Sequence, residues 1–134
     1  MKGMNQDKAR YKFTPKIETL NQIMTNRQLS QLGDAFVNFA CSLALSVKQK
    51  KPVGTKVSSQ TLAQALKNAN LRKHLPARMT RHALADAAEA LVVYAWLSEK
   101  ITIDETVRII QMTSSSVDGL TQLLRTVVEK LMLS

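Results

Sequence analysis

The sequence predicts an all-α domain. Apolar residues recur at three- and four-residue spacing along most of it, no segment of useful length alternates apolar and polar residues, and Gly (4) and Pro (3) are scarce among 134 residues. Together these features call for long helices joined by few tight turns, in one domain large enough to bury a substantial core.

Residues 1–15 form a polar, basic arm ending at Pro15, expected to be partly disordered, and residues 16–134 form the helical domain. In 16–24, Ile17, Leu20, Ile23 and Met24 fall at helical spacing. Residues 27–49 carry the longest apolar-periodic run. Leu29, Leu32, Phe36, Phe39, Ala40, Leu43 and Val47 share one wide stripe, which predicts a central helix buried along that stripe. Lys50-Lys51-Pro52-Val53-Gly54 breaks it into a loop. Ser58 or Ser59 can cap the next helix, with Leu62, Ala65, Leu66 and Ala69 inward. Asn70–Thr80, which contains Pro76, reads as a short helix or turn and a connection. Thr80 then caps a helix from Arg81 to about Ser98, apolar almost all round and therefore buried. A helix near Asp104–Met112 has acids at its start, matching the helix dipole, and after a break at Ser114–Ser116 a final amphipathic helix runs to about Met132.

Composition excludes several function classes. No stretch approaches the ~18 uninterrupted apolar residues of a membrane span, and the basic start lacks the apolar segment of a secretory signal, so a cytoplasmic protein is expected. The single cysteine, Cys41, rules out an internal disulfide and a Cys-rich zinc site; set in an apolar run, it reads as a small buried hydrophobe. His74 and His82 have no companion ligands for a transition metal. No nucleophile-elbow motif supports a Ser/His/Asp arrangement. Aromatic residues, at 4%, are too few for base stacking to dominate recognition.

Charge is divided unevenly. Residues 1–85 hold fifteen Lys and Arg against three acids, whereas residues 86–134 hold four against seven. The basic side chains cluster in the arm, in a second group of Lys48, Lys50, Lys51 and Lys56, and in a third of Lys67, Arg72, Lys73, Arg78 and Arg81. Such asymmetry favours a nucleic-acid phosphate backbone as partner. A membrane surface would call for an amphipathic anchor helix, and a DNA-binding regulator for helix-turn-helix spacing; neither pattern is present.

Against this basic background, Asp34, Asp86 and Glu89 stand among apolar residues, where an unpaired carboxylate is costly to bury. Asp86 and Glu89, three apart, point to one face of their helix. If Asp34 folds onto that face, the three acids suit a divalent cation held beside a polyanion. The plainer alternative is that Asp34 caps a helix and the other two pair with Arg81 or a nearby Lys.

The order of three segments carries further information. Arg27-Gln28-Leu29-Ser30-Gln31-Leu32-Gly33-Asp34-Ala35 resembles the E-R-L-E-F-L-G-D-A signature helix of the ribonuclease III family. Val57-Ser58-Ser59-Gln60-Thr61-Leu62-Ala63 is similar to its V-S-N-E-x-L-A segment, and Ala85-Asp86-Ala87-Ala88-Glu89-Ala90-Leu91 to its A-D-x-x-E-A-L helix. The likeness covers roughly residues 17–110 and concerns the catalytic domain, without the separate double-stranded-RNA-binding domain of many members. It implies a ribonuclease III-like helical domain that forms a homodimer and cleaves double-stranded or structured RNA with Mg²⁺, for which Mn²⁺ substitutes. It assigns Asp34, Asp86 and Glu89 as catalytic metal ligands. The family's fourth acid is Ser30 here, its first signature glutamate Arg27, and its dimer-anchoring aromatic Gln31. Lys48, Lys50, Lys51, Lys56, Arg72, Lys73, Arg78 and Arg81 are the expected RNA-binding residues. Ser30 and Arg27 support a second expectation, a catalytically impaired RNA-binding or ribonucleoprotein assembly factor on the same fold.

Overall fold

A computed structural model describes residues 9–132, and among these there are six α-helices and no strand. They are α1 (Leu20–Met24), α2 (Arg27–Gln49), α3 (Ser59–Asn68), α4 (Arg81–Leu97), α5 (Ile103–Gln111) and α6 (Ser116–Met132), with a 3-10 turn at Arg72–His74. The expected all-helical class holds. The N-caps are the side chains that local chemistry favours: Asn26, Ser58, Thr80 and Thr102 each accept an amide from the first turn of their helix.

Helix α4 is the axis of the domain. Twelve of its seventeen residues are buried, and it packs against α1, α2, α3 and α6. Around it Ile23, Leu66, Leu91, Leu97, Leu123 and Val127 are sealed from solvent, each worth roughly 1.5–3 kcal/mol of transfer free energy. Helix α5 lies across α2 and α6, over a smaller cluster of Ala40, Ala44 and Val107. A methyl on Gly119 would come within 2.7 Å of the Ile110 carbonyl oxygen, so the α5–α6 crossing requires a glycine there.

Two expectations need correction. The first helix is shorter than 16–24: Ile17 is buried, but the chain stays extended until Thr19, whose capping box with Gln22 fixes the start at Leu20. The apolar stripe of α2 is not uniformly buried. Its inward seam is Leu29, Ser30, Gly33, Val37, Ala40 and Ala44, whereas Leu32, Phe39 and Val47 are 40%, 57% and 60% exposed. Small residues admit the neighbouring helices most closely, so the seam follows Gly33, Ala40 and Ala44 and turns the larger side chains outward. Of the expected arm, residues 9–15 are described, and they lie against the C-terminal end of α4. Arg10 sits 4.4 Å from the Trp96 ring centroid, its amide donates to the Leu97 carbonyl, and Tyr11 stacks on Phe13. Residues 1–8 of the expected arm lie outside the described residues.

Between α2 and α3 the chain runs back along α2 as an extended strap, held by a ladder of polar side chains four residues apart. The Val53 amide donates to Ser46 Oγ (2.9 Å), the Thr55 amide to Ser42 Oγ (2.9 Å) and the Val57 amide to Asn38 Oδ1 (2.8 Å). Alternate strap residues thus meet successive turns of the helix, which satisfies backbone amides that have no sheet to join.

Candidate functional site

The α2–α4 crossing brings the three acids into one cleft. Asp34, Asp86 and Glu89 line it together with Ser30, Arg27, Asn26 and Gln31 from the start of α2, and with Met79, Thr80 and His82 from the start of α4. Gly33 makes the crossing possible. A Cβ at that position would collide with the Glu89 carbonyl group, so only glycine lets the α2 backbone pass this close to the turn of α4 that carries Glu89. The glycine and the aspartate that follows it are therefore one device: one sets the approach, the other supplies the acid.

Burial separates the three carboxyls. Asp34 and Asp86 are exposed, whereas Glu89 is only 4% exposed. Burial raises the Glu89 carboxyl to about 8, and a hydrogen bond with Asp34 and the negative charges of Asp34 and Asp86 push the same way. Near neutrality these effects favour the protonated form of Glu89, with Asp34 as its hydrogen-bond partner. Among the described residues none of the three acids forms an ion pair; the pair present, Lys130–Glu105 at 3.5 Å, links α6 to α5 well away from the cleft. The plainer alternative of capping and local neutralisation is not what the geometry contains: Asn26 caps α2, Thr80 caps α4, and among the described residues no cation pairs with Glu89.

An unpaired excess of carboxylate suits a cation, and the donor set is all oxygen, as hard divalent ions prefer. Among the described residues, however, no three His, Cys, Asp or Glu side chains are gathered into a ready-made metal cage. Ser30 is buried in the cleft wall and donates its hydroxyl to the Arg27 carbonyl (2.8 Å), which leaves its oxygen lone pairs but not its proton.

Asn38 connects the cleft to the strap. Its amide nitrogen donates to Asp34 Oδ1 (3.3 Å) while its oxygen accepts the Val57 amide. Asn38→Ala should leave that amide without its partner and cost about 1–2 kcal/mol, read as a lower melting temperature and faster hydrogen exchange at Val57; unchanged exchange would contradict the role.

The predicted basic residues divide. Arg78 and Arg81 are exposed beside the cleft-lining Met79, Thr80 and His82, and Lys73 is exposed in the same connection. Arg72 has another task. Its guanidinium donates to the Pro76 and Ala77 carbonyls (2.6 Å each) and to that of Leu75 (3.4 Å), so it staples this loop and is largely withheld from a ligand. Lys48, Lys50 and Lys51 are exposed at the far end of α2, roughly 20 Å along the helix from Asp34, and Lys56 is exposed on the strap beside the Asn38–Ser42 stretch, roughly 10 Å along from Asp34. Lys48 and Lys56 line a second cavity there, together with Cys41. Cys41 is half-buried, and burial pushes its thiol up to about 11.

The sequence reading did not single out His82, Thr80 or Asn38 as site residues. His82 precedes Asp86 by one helical turn and Asn38 follows Asp34 by one, so i,i+4 spacing from each acid was the available signal.

Residues 27–131 match the family model described as Ribonuclease III, beginning at the first residue of α2 and ending one residue before the end of α6. No curated protein matches the chain significantly. Among the described residues no helix is long and apolar enough to cross a membrane.

Proposed function

The chain belongs to the ribonuclease III family, and from that footing we propose that it is a divalent-metal-dependent endoribonuclease acting on double-stranded or structured RNA. The observation that carries the proposal is the cleft at the α2–α4 crossing, where buried Glu89 meets Asp34 and Asp86 and none of the three forms an ion pair among the described residues. Asp34, Asp86 and Glu89 are the residues that would hold Mg²⁺ or Mn²⁺, with water filling the position at Ser30. Bound there, the ion would activate a water for in-line attack on a phosphodiester and neutralise charge developing on the phosphoryl oxygens.

The protein's own groups have distinct tasks. Glu89 would give up its proton when a cation enters, and Asp34 is kept in place by Asn38. Arg78, Arg81 and Lys73 hold substrate phosphates on the α4 side, which suits an A-form duplex read through shape and backbone. The exposed ridge of Leu32, Phe39 and Val47 on α2 supports a homodimer in which a second copy covers it.

The test is cleavage of a long duplex RNA with Mg²⁺ or Mn²⁺, comparing the native chain with an Asp86→Asn, Glu89→Gln double variant. The native chain should yield products and the double variant none. Equal products from both would overturn the assignment. A second reading, an RNA-binding assembly factor with an impaired site, is favoured by Ser30, whose hydroxyl is tied to the Arg27 carbonyl where a fourth acid would stand. Tight duplex binding without cleavage by the native chain at any metal concentration would establish it instead.

A further inference from the structure

The second cavity shares no residue with the acid cleft and has a different chemistry. It has a volume of about 790 Å³ and lies between the C-terminal half of α2, the strap and the α5–α6 loop. That is within the range of small-molecule sites. Its floor is apolar, built from Cys41, Leu45, Val57, Ile110 and Leu120. Its rim carries Lys48 and Lys56 and the hydroxyl run Thr113–Ser116, and not one Asp or Glu lines it.

Neither lysine has an ion-pair partner among the described residues, and the Ser114 and Ser116 hydroxyls likewise have no hydrogen-bond partner there. Two cations and two free hydroxyls therefore face a concavity that contains no anion of its own. The cavity is also preformed: the Ser42 and Ser46 bonds fix the strap carrying Thr55 and Lys56, and Thr113 donates to the Ser115 carbonyl (2.8 Å) to fix the loop opposite.

We propose that this cavity binds a nucleoside phosphate, with the phosphate between Lys48, Lys56 and Ser114–Ser116 and the nucleoside on the apolar floor. Lys recognises phosphate as a mobile point charge, and serine hydroxyls complete the shell without adding negative charge. The same chemistry is offered by a free mononucleotide and by the 5′-phosphorylated end of an RNA strand. The proposal concerns this cavity alone and stands whether or not the acid cleft cleaves RNA.

Because Cys41 is the protein's single cysteine and lines the floor, alkylation of its thiol reports occupancy. The experiment titrates the full chain with uridine 5′-monophosphate, with uridine, and with a short single-stranded RNA bearing either a 5′-phosphate or a 5′-hydroxyl. It follows Cys41 alkylation at pH 9 and the amide resonances of Val57 and residues 110–116. The monophosphate should slow alkylation and shift those resonances, uridine should do neither, and Lys48→Gln with Lys56→Gln should weaken binding at least about tenfold. Tighter binding of the 5′-phosphorylated RNA than of the mononucleotide would assign the site to strand ends; equal or weaker binding would assign it to free nucleotide. The proposal is overturned if uridine binds as well as its phosphate, if the lysine variant binds like the native chain, or if no phosphate ligand changes alkylation or resonances.

Discussion

Gly33→Ala should be the most damaging single substitution in the helical core. The added methyl would meet the Glu89 carbonyl, a backbone group that cannot swing aside as a flexible side chain can. Relief requires α2 to move away from α4 along their whole contact, opening the seam at Val37 and Ala40. Overpacking of this kind costs up to about 3 kcal/mol, which for a domain of this size is a fall in melting temperature of roughly 10 °C. The same movement draws Asp34 from Glu89, so metal-dependent cleavage should fall in whatever fraction remains folded. A variant that melts within a degree or two of the native chain would mean that the helices do not cross this closely in solution.

Glu89→Gln should have two effects of opposite sign. As a candidate ligand, Glu89 lost to an amide should reduce cleavage by about 10²-fold or more. The metal-free protein should nevertheless become more stable. The native carboxyl titrates near 8 when folded and near its ordinary 4.5 when unfolded. Below about 4.5 both states are protonated and the residue contributes nothing to the pH dependence. Between 4.5 and 8 the unfolded state releases its proton first, so native stability falls as pH rises, and above 8 the full cost is present. Glutamine, neutral throughout and able to donate to Asp34, escapes that cost. The variant should match the native chain near pH 4 and exceed it by about 2–4 kcal/mol near pH 9, as read from urea unfolding at the two pH values. A native chain as stable as the variant at pH 9 would show that Glu89 is not held protonated by its surroundings.

Much of this fold could be read from periodicity and caps. Arg27–Gln49 and the Thr80 cap are where the pattern placed them, because capping is local chemistry and needs no tertiary information. The orientation of α2 was harder. Apolar periodicity marks a face but not how close the neighbour comes, and the seam was decided by Gly33, Ala40 and Ala44, which contribute little to an apolar stripe. The convergence of Asp34 with Asp86 and Glu89 required two helices far apart in sequence to cross at one glycine, and the family's segment order supplied that pairing where spacing alone could not. The strap escaped notice because a ladder of Asn38, Ser42 and Ser46 reads as scattered polar residues until the partner amides at 57, 55 and 53 are in view. Arg72 looked like a phosphate ligand because charge counts do not reveal a guanidinium already committed to three carbonyls.

The central claim is that residues 34, 86 and 89 jointly take up one divalent ion. Crystals soaked in Mn²⁺ at pH 8.5, above the pH at which Glu89 loses its proton, test it through the anomalous signal of the metal. The account predicts a peak within about 2.5 Å of carboxylate oxygens of Glu89 and at least one of Asp34 and Asp86, absent from the Asp86→Asn, Glu89→Gln protein. Mn²⁺ bound only elsewhere on the chain, or a cleft that stays free of metal at saturating concentration, would contradict it.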